Sequence, residues 1–300
     1  MSDHLPKGPE WGTFFLILAC YGMWFAALFL LPQVSLVLAV VVSAVLVAFH
    51  SSLTHEALHG HPFRLRWLNE ALMAPQLNMV IPYSRFRDTH LDHHRDENLT
   101  DPYDDPESNF LDPKVWQQIP MWRRRLYWLN NTLLGRILLG PLIGQICFMA
   151  GDAGAAGRGD RAVIWGWLLH LPGLVLVLWV ISLTAMPFWA YAIAAYLGLG
   201  LVKIRTFLEH RAHEQMHART VVVEDRGPLA LLFLNNNLHV VHHMHPGVPW
   251  YALPKLYRDQ KAQFQSANEN YTYTCYGEVF RRYFLRGKDP VLHPLWHPGE

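Results

Sequence analysis

From Trp11 to Leu31 the chain carries no charged residue. Wound into a helix, that run reaches about 31 Å, which matches a bilayer hydrocarbon core of about 30 Å. No small-residue cleavage site follows in Leu31-Pro32-Gln33, so the run reads as a retained membrane span and not as a cleaved signal peptide. Val34 to Phe49 follows almost at once and is equally apolar, which predicts a tight helical hairpin turning at Pro32-Gln33. A second pair runs from Ala162 to Leu183 and from Pro187 to Val202, joined by Thr184-Ala185-Met186. With 51% hydrophobic and only 16% charged residues, the composition is that of a membrane protein rather than a soluble or disordered one.

Four spans put both termini on one side. All 25 lysines and arginines fall outside these spans and none lies in either short turn, so the positive-inside rule makes that side cytoplasmic. Thr132 to Ala150 is apolar but interrupted by Arg136 and Pro141. A fifth span there would break the charge asymmetry, so the segment is expected to lie in or dip into the interface. The Trp/Arg-rich stretch Trp122 to Trp128 before it is expected to anchor to the anionic headgroups of membrane lipids. Gly151 to Gly159 reads as a flexible linker without the spacing of a dinucleotide-binding turn. The expected fold is a single all-α integral membrane domain of two helical hairpins, with spans at about 11–31, 34–49, 162–183 and 187–202. Residues 50–161 and 203–300 would form a cytoplasmic helical cap. A net charge of +1 without a basic cluster argues against nucleic acid as a partner. Cys20, Cys147 and Cys275 form neither a disulfide framework nor a thiolate metal site.

Eighteen histidines are too many to ignore. Three clusters stand out: His55-Glu56-Ala57-Leu58-His59, His90-Leu91-Asp92-His93-His94 and His239-Val240-Val241-His242-His243. Residues three and four apart share a helix face, so each cluster aims two or three imidazoles in one direction. Neutral imidazole suits zinc, copper and iron. His55 lies about 32 Å beyond Val34 along a continuous helix and His210 about 35 Å beyond Pro187, so both would emerge at the same depth past the cytoplasmic edge. His210, His213 and His217 would share a helical face, and spacing alone does not choose among them. Eight cluster histidines and one more make nine. Since one first-row ion takes about four to six ligands, nine imidazoles imply two metals.

At this point the chain resembles the membrane fatty acid desaturase superfamily, the histidine-box di-iron enzymes that include alkane hydroxylases and carotenoid ketolases and hydroxylases. The resemblance covers most of the chain: two membrane hairpins, HxxxH after the second span, HxxHH some 30 residues later and HxxHH in the C-terminal part. It implies ligation of two Fe ions by His55, His59, His90, His93, His94, His239, His242 and His243. Phe207-Leu208-Glu209-His210 is similar to the segment that supplies a further ligand in several branches, which favours His210 over His213. Glu56, Asp92, Glu209 and His245 are candidates for fixing imidazole tautomers from behind the ligands. His61 points off the face of His55 and His59 and stays outside the ligand set. Asp101-Pro102-Tyr103-Asp104-Asp105-Pro106 is similar to an acidic stretch found after the second box, and reads equally as a solvated loop.

The chemistry implied is O2-dependent removal of hydrogen from an unactivated methylene of an acyl lipid substrate, introducing a double bond. Hydroxylation or ketolation of an acyl lipid or carotenoid is the nearest alternative, because those reactions share the ligands. No flavin, nicotinamide or iron–sulfur motif is present, so electrons are expected from a separate donor such as ferredoxin with its reductase. Without a fused cytochrome domain, the chain reads as a protein of a bacterial inner membrane. Two rivals are weaker. His55-Glu56-Ala57-Leu58-His59 also satisfies HExxH, the zinc-protease pattern, yet such a protease leaves both HxxHH clusters unexplained. A metal transporter would spread its ligands across the bilayer, whereas only His170 falls within a span.

Overall fold

The computed structural model describes residues 8–95 and 99–295. His4 and His297, to which the sequence assigns no role, lie outside the described residues. The protein is mostly helical and divides into two compact units, residues 1–87 with 141–202 and residues 88–140 with 203–300. The chain passes between them within three helices: α4 (Tyr83–Arg95), α7 (Leu133–Gly157) and α9 (Phe188–Thr206).

The first unit holds the apolar hairpins. Helices α1 (Trp11–Val34) and α2 (Leu36–Leu58) pack together, followed by the short α3 (Arg66–Met73); α8 (Arg161–Ser182) and most of α7 and α9 complete the unit. The first turn falls later than expected. Pro32 continues α1, and the break comes at Ser35, whose extended backbone and Oγ, accepting from the Leu38 N–H at 3.3 Å, cap α2. Helix α2 then runs nine residues past Phe49 without interruption, carrying His55 near its C-terminal end. Asp160 caps α8 by accepting from the backbone N–H groups of Ala162 and Val163. Gly173 on α8 lets the helix lie directly against the chain at Ala74, since a Cβ there would meet the Ala74 carbonyl oxygen at 2.2 Å.

Several polar groups inside this unit hydrogen-bond to one another. Trp24 Nε1 donates to the Tyr191 hydroxyl at 2.9 Å, and that hydroxyl donates to the Leu77 carbonyl at 2.9 Å. His50 Nε2 meets the Tyr21 hydroxyl at 2.9 Å, and Tyr21 donates on to the Leu72 carbonyl at 3.0 Å. His50, which had no function in the sequence reading, is therefore a satisfied core histidine.

Two local expectations change in α7. Residues 151–157, expected as a flexible linker, are helical, and the chain breaks only at Gly159, whose φ of +86° suits glycine. Of Thr132 to Ala150, expected as an interfacial segment, Thr132 bridges antiparallel to Gly287 and all the rest lies within one helix of 25 residues. The arginine that argued against burial is accommodated: Arg136 is buried, its Nε donates to the Asn130 carbonyl at 2.9 Å and its Nη1 bonds Asn109. Among the described residues, five helices, α1, α2, α7, α8 and α9, are long and apolar enough to cross a membrane by length and composition.

The second unit contains α5 (Pro113–Gln118), α6 (Met121–Asn130), α10 (Pro228–Leu232), α11 (His239–Met244), α12 (Leu253–Asp259), α13 (Lys261–Ala267) and α14 (Tyr276–Tyr283). It is not purely helical. Strands β1 (Val222–Val223) and β2 (Thr272–Tyr273) pair in parallel, Val222 with Thr272 and Val223 with Tyr273. Val222, Val240, Val241, Leu253, Leu256 and Phe264 belong to one buried apolar cluster that clamps α11 onto β1. The order His-Val-Val-His-His in α11 thus divides into valines that hold the helix and imidazoles that meet other histidines. His293, another histidine without a sequence role, packs edge-on to Phe110 and its Nε2 meets the Thr100 hydroxyl at 3.1 Å.

Candidate metal centre

Within the second unit, three elements bring their imidazoles together. Helix α4 supplies His90, His93 and His94; α11 supplies His239, His242 and His243; the segment after α9 supplies His210. His93, His210, His239 and His243 form one group in which the potential ligand atoms all lie within 4.8 Å of one another, and His90, His94 and His242 meet the same limit. In the first unit, His55 and His59 stand one turn apart at the end of α2, with ring centroids 4.9 Å apart.

The helix expected to carry His210 does not reach it. Helix α9 ends at Thr206, and His210 instead bridges antiparallel to Thr220, flanked by Val221 N–H donating to the Glu209 carbonyl and Arg211 N–H donating to the Arg219 carbonyl. His210, His213 and His217 therefore share no helical face. His213 lies apart from both groups, with Nε2 3.5 Å from Glu269, and His217 is exposed.

Carboxylates and an amide settle which ring nitrogens face inward. Asp105 Oδ1 accepts from His93 Nδ1 at 2.7 Å, and Glu107 Oε1 accepts from His90 Nδ1 at 2.7 Å. Asn236 Oδ1 lies 3.2 Å from His239 Nδ1, with Glu209 3.7 Å away on the same nitrogen. Each contact puts the proton on Nδ1 and leaves the lone pair on Nε2. Those Nε2 atoms then face other Nε2 atoms: His93 to His210 at 3.0 Å, His210 to His239 at 3.2 Å, His239 to His243 at 3.1 Å, His90 to His94 at 3.1 Å and His94 to His242 at 3.1 Å.

Imidazole nitrogens this close either share a proton or hold a cation between them. Imidazole nitrogens at about 2.0–2.1 Å from one ion stand roughly 3.0–3.4 Å apart, depending on the angle at the metal. The observed spacings fall in that range, so the donor set fits first-row metal ions.

Electrostatics agree with this. Burial, together with neighbouring imidazoles, pushes His94 down to about 2 and holds His210, His239 and His243 well below the ordinary histidine range. These rings stay neutral, as metal ligands must. Burial would lower His93 as well, but Glu107 and Asp105 override it and raise His93 to about 9. The same attraction, from His90 and His93, holds Glu107 below the usual carboxylate range despite its desolvation.

The sequence model of the fatty acid desaturase family matches residues 32–274, a stretch that contains all nine of these histidines. The chain belongs to the fatty acid desaturase family. No curated protein matches it significantly. Membership of this family implies a membrane oxidoreductase with an acyl lipid substrate and O2, and the histidine groups fit metal binding.

The groups behind the imidazoles are only partly those the sequence suggested. Glu209 is buried, 3.7 Å from His239 and 2.9 Å from Arg205. Glu56 is buried on α2 beside His55. Asp92 is exposed on α4, and the acids that bond this box are Asp105 and Glu107. His245 ends α11, its backbone N–H donating to the Val241 carbonyl and its ring edge-on to Phe264. His61 bonds Glu10 of the first unit. Asp105 lay within a recognised acidic stretch. Glu107 and Asn236 carried no sequence signal, because their partners are 17 and 3 residues away in contexts without a motif.

Proposed function

We propose that this desaturase holds two irons through His55, His59, His90, His93, His94, His210, His239, His242 and His243, with His93, His210, His239 and His243 around one of them. The observation that carries the reading is the convergence of imidazole Nε2 atoms at 3.0–3.2 Å in a chain of this family. Bound iron supplies the activation of dioxygen that removal of hydrogen from an unactivated methylene requires. The protein's own residues hold and orient. Asp105, Glu107 and Asn236 keep protons on Nδ1, and the low proton affinity of His94, His210, His239 and His243 keeps those rings open to metal. The acyl chain lies among the apolar helices with its polar head in the cytoplasm, and the product is a new double bond.

In this reading four helices span the membrane, α7 lies along the interface, and the metal site faces the cytoplasm of a bacterial inner membrane. Electrons arrive from a separate ferredoxin-type donor with its reductase. Hydroxylation or ketolation of an acyl lipid or carotenoid is the second reading, since the same ligands serve it. Lipid and pigment profiling of a host expressing the protein separates the two: a new double bond in the fatty acids is expected, and oxygenated carotenoid with unchanged acyl chains would overturn the choice. Metal analysis of the purified protein is expected to give about two irons per chain. A single zinc would favour the HExxH protease instead, and loose, variable occupancy a transporter.

A further inference from the structure

In the group of His93, His210, His239 and His243, His210 alone stands on no helix. His93 and His239 are also bonded at Nδ1, whereas His210 Nδ1 is buried without a hydrogen-bond partner among the described residues. The direction of the His210 ring is therefore set by its main chain. The bridge to Thr220 fixes that chain only on either side: its bonds use the Glu209 carbonyl and the Arg211 N–H and leave the His210 carbonyl outside the ladder.

Lys288 takes up that carbonyl. Its Nζ donates to the His210 carbonyl at 2.6 Å and to the Tyr271 hydroxyl oxygen at 3.2 Å, and lies 2.6 Å from Asp289 Oδ2. An ammonium has three N–H donors, and three acceptors meet it here. The side chain is 7% exposed. A charge so buried is costly unless paired, and Asp289 supplies the pairing. The Tyr271 hydroxyl in turn donates to the Leu208 carbonyl at 2.8 Å, so one cluster grips the chain at both Leu208 and His210. The support is itself fastened at the turn between α6 and α7, where the Lys288 N–H donates to the Asn131 carbonyl at 3.2 Å and Gly287 bridges Thr132.

We propose that Lys288 is a positioning residue for the metal centre: its ammonium, held by Asp289 and Tyr271, fixes the His210 carbonyl and so aims the His210 ring at His93 and His239. This rests on the reading of His210 as an iron ligand. A charge-assisted hydrogen bond is about twice as strong as a neutral one, which suits a ligand without the rigidity of a helix. Lys288 lies beyond residue 274, where the family match ends. The C-terminal segment thus supports a centre whose histidines all lie within the match.

Iron retention against a graded chelator, with Mössbauer spectroscopy of the purified iron-loaded full chain, tests it. Lys288→Met keeps an apolar stem and removes the donors. We expect one of the two irons to be lost at about 10–100-fold lower chelator, the scale for a partner behind a ligand, and its quadrupole doublet to change. The other iron keeps its wild-type retention and spectrum. Tyr271→Phe, which removes the hydroxyl between Lys288 and Leu208, weakens the same iron. Release of both irons together, or wild-type retention and spectrum in both variants, would overturn the proposal. Should Lys288→Met fail to accumulate, Tyr271→Phe decides. His210→Ala separates this proposal from the reading beneath it. Two irons with an unchanged spectrum in His210→Ala would remove His210 from the ligands, and the proposal with it. Loss of one iron in His210→Ala but not in Lys288→Met would keep the ligand and overturn only the role of Lys288.

Discussion

At the scale of single residues, the histidines depend on groups that hold one proton in place. Glu107 bonds His90 through one carboxylate oxygen, whereas Asp105 also accepts the backbone N–H of Thr100 and of Glu107 and so organises its own loop. Glu107→Ala is therefore the cleaner probe. It frees the His90 ring to rotate and change tautomer without dismantling the loop, and a 10–100-fold loss of iron affinity is expected. Iron retained against a graded chelator measures it, and wild-type retention would show that Glu107 does not position the ring. His93→Ala should abolish turnover while leaving protein yield near wild type, as judged by product formation beside membrane expression.

At the scale of elements, α7 is where sequence and structure part most. A buried arginine and an internal proline looked like interruptions, yet Arg136 finds Asn109 and Asn130 and the helix continues through Pro141 to Gly157. Length and apolarity alone now allow five spans. The charge asymmetry still favours four, and the two counts make opposite predictions for the ends of the chain. Reporter fusions at the two termini should give the same, cytoplasmic, signal; opposite signals would make α7 a span. Short helices show the reverse case. Helix α11 is too short to be stable by itself, and its sequence names its ligands but not its support, which comes from β1 and the cluster around Val240 and Val241.

At the scale of the whole molecule, the sequence shows no cofactor-binding motif for electrons of its own. Purified iron-loaded protein given a soluble reductant should show only background turnover, and adding a ferredoxin with its reductase should restore it. Full activity without a carrier would remove the need for a partner.

The apolar hairpins, the three histidine boxes and the family are legible in the chain alone, because each is a local pattern: a run without charge, or imidazoles at helical spacing. The chain alone does not show what holds those imidazoles. His210 reaches its group from a bridge to Thr220 and not from a continuous helix, and Asp105, Glu107 and Asn236 meet their histidines through loop geometry. These points belong to the folded chain, because a hydrogen-bond partner is chosen by distance in space, and turns place residues in space without leaving a periodic trace in the chain.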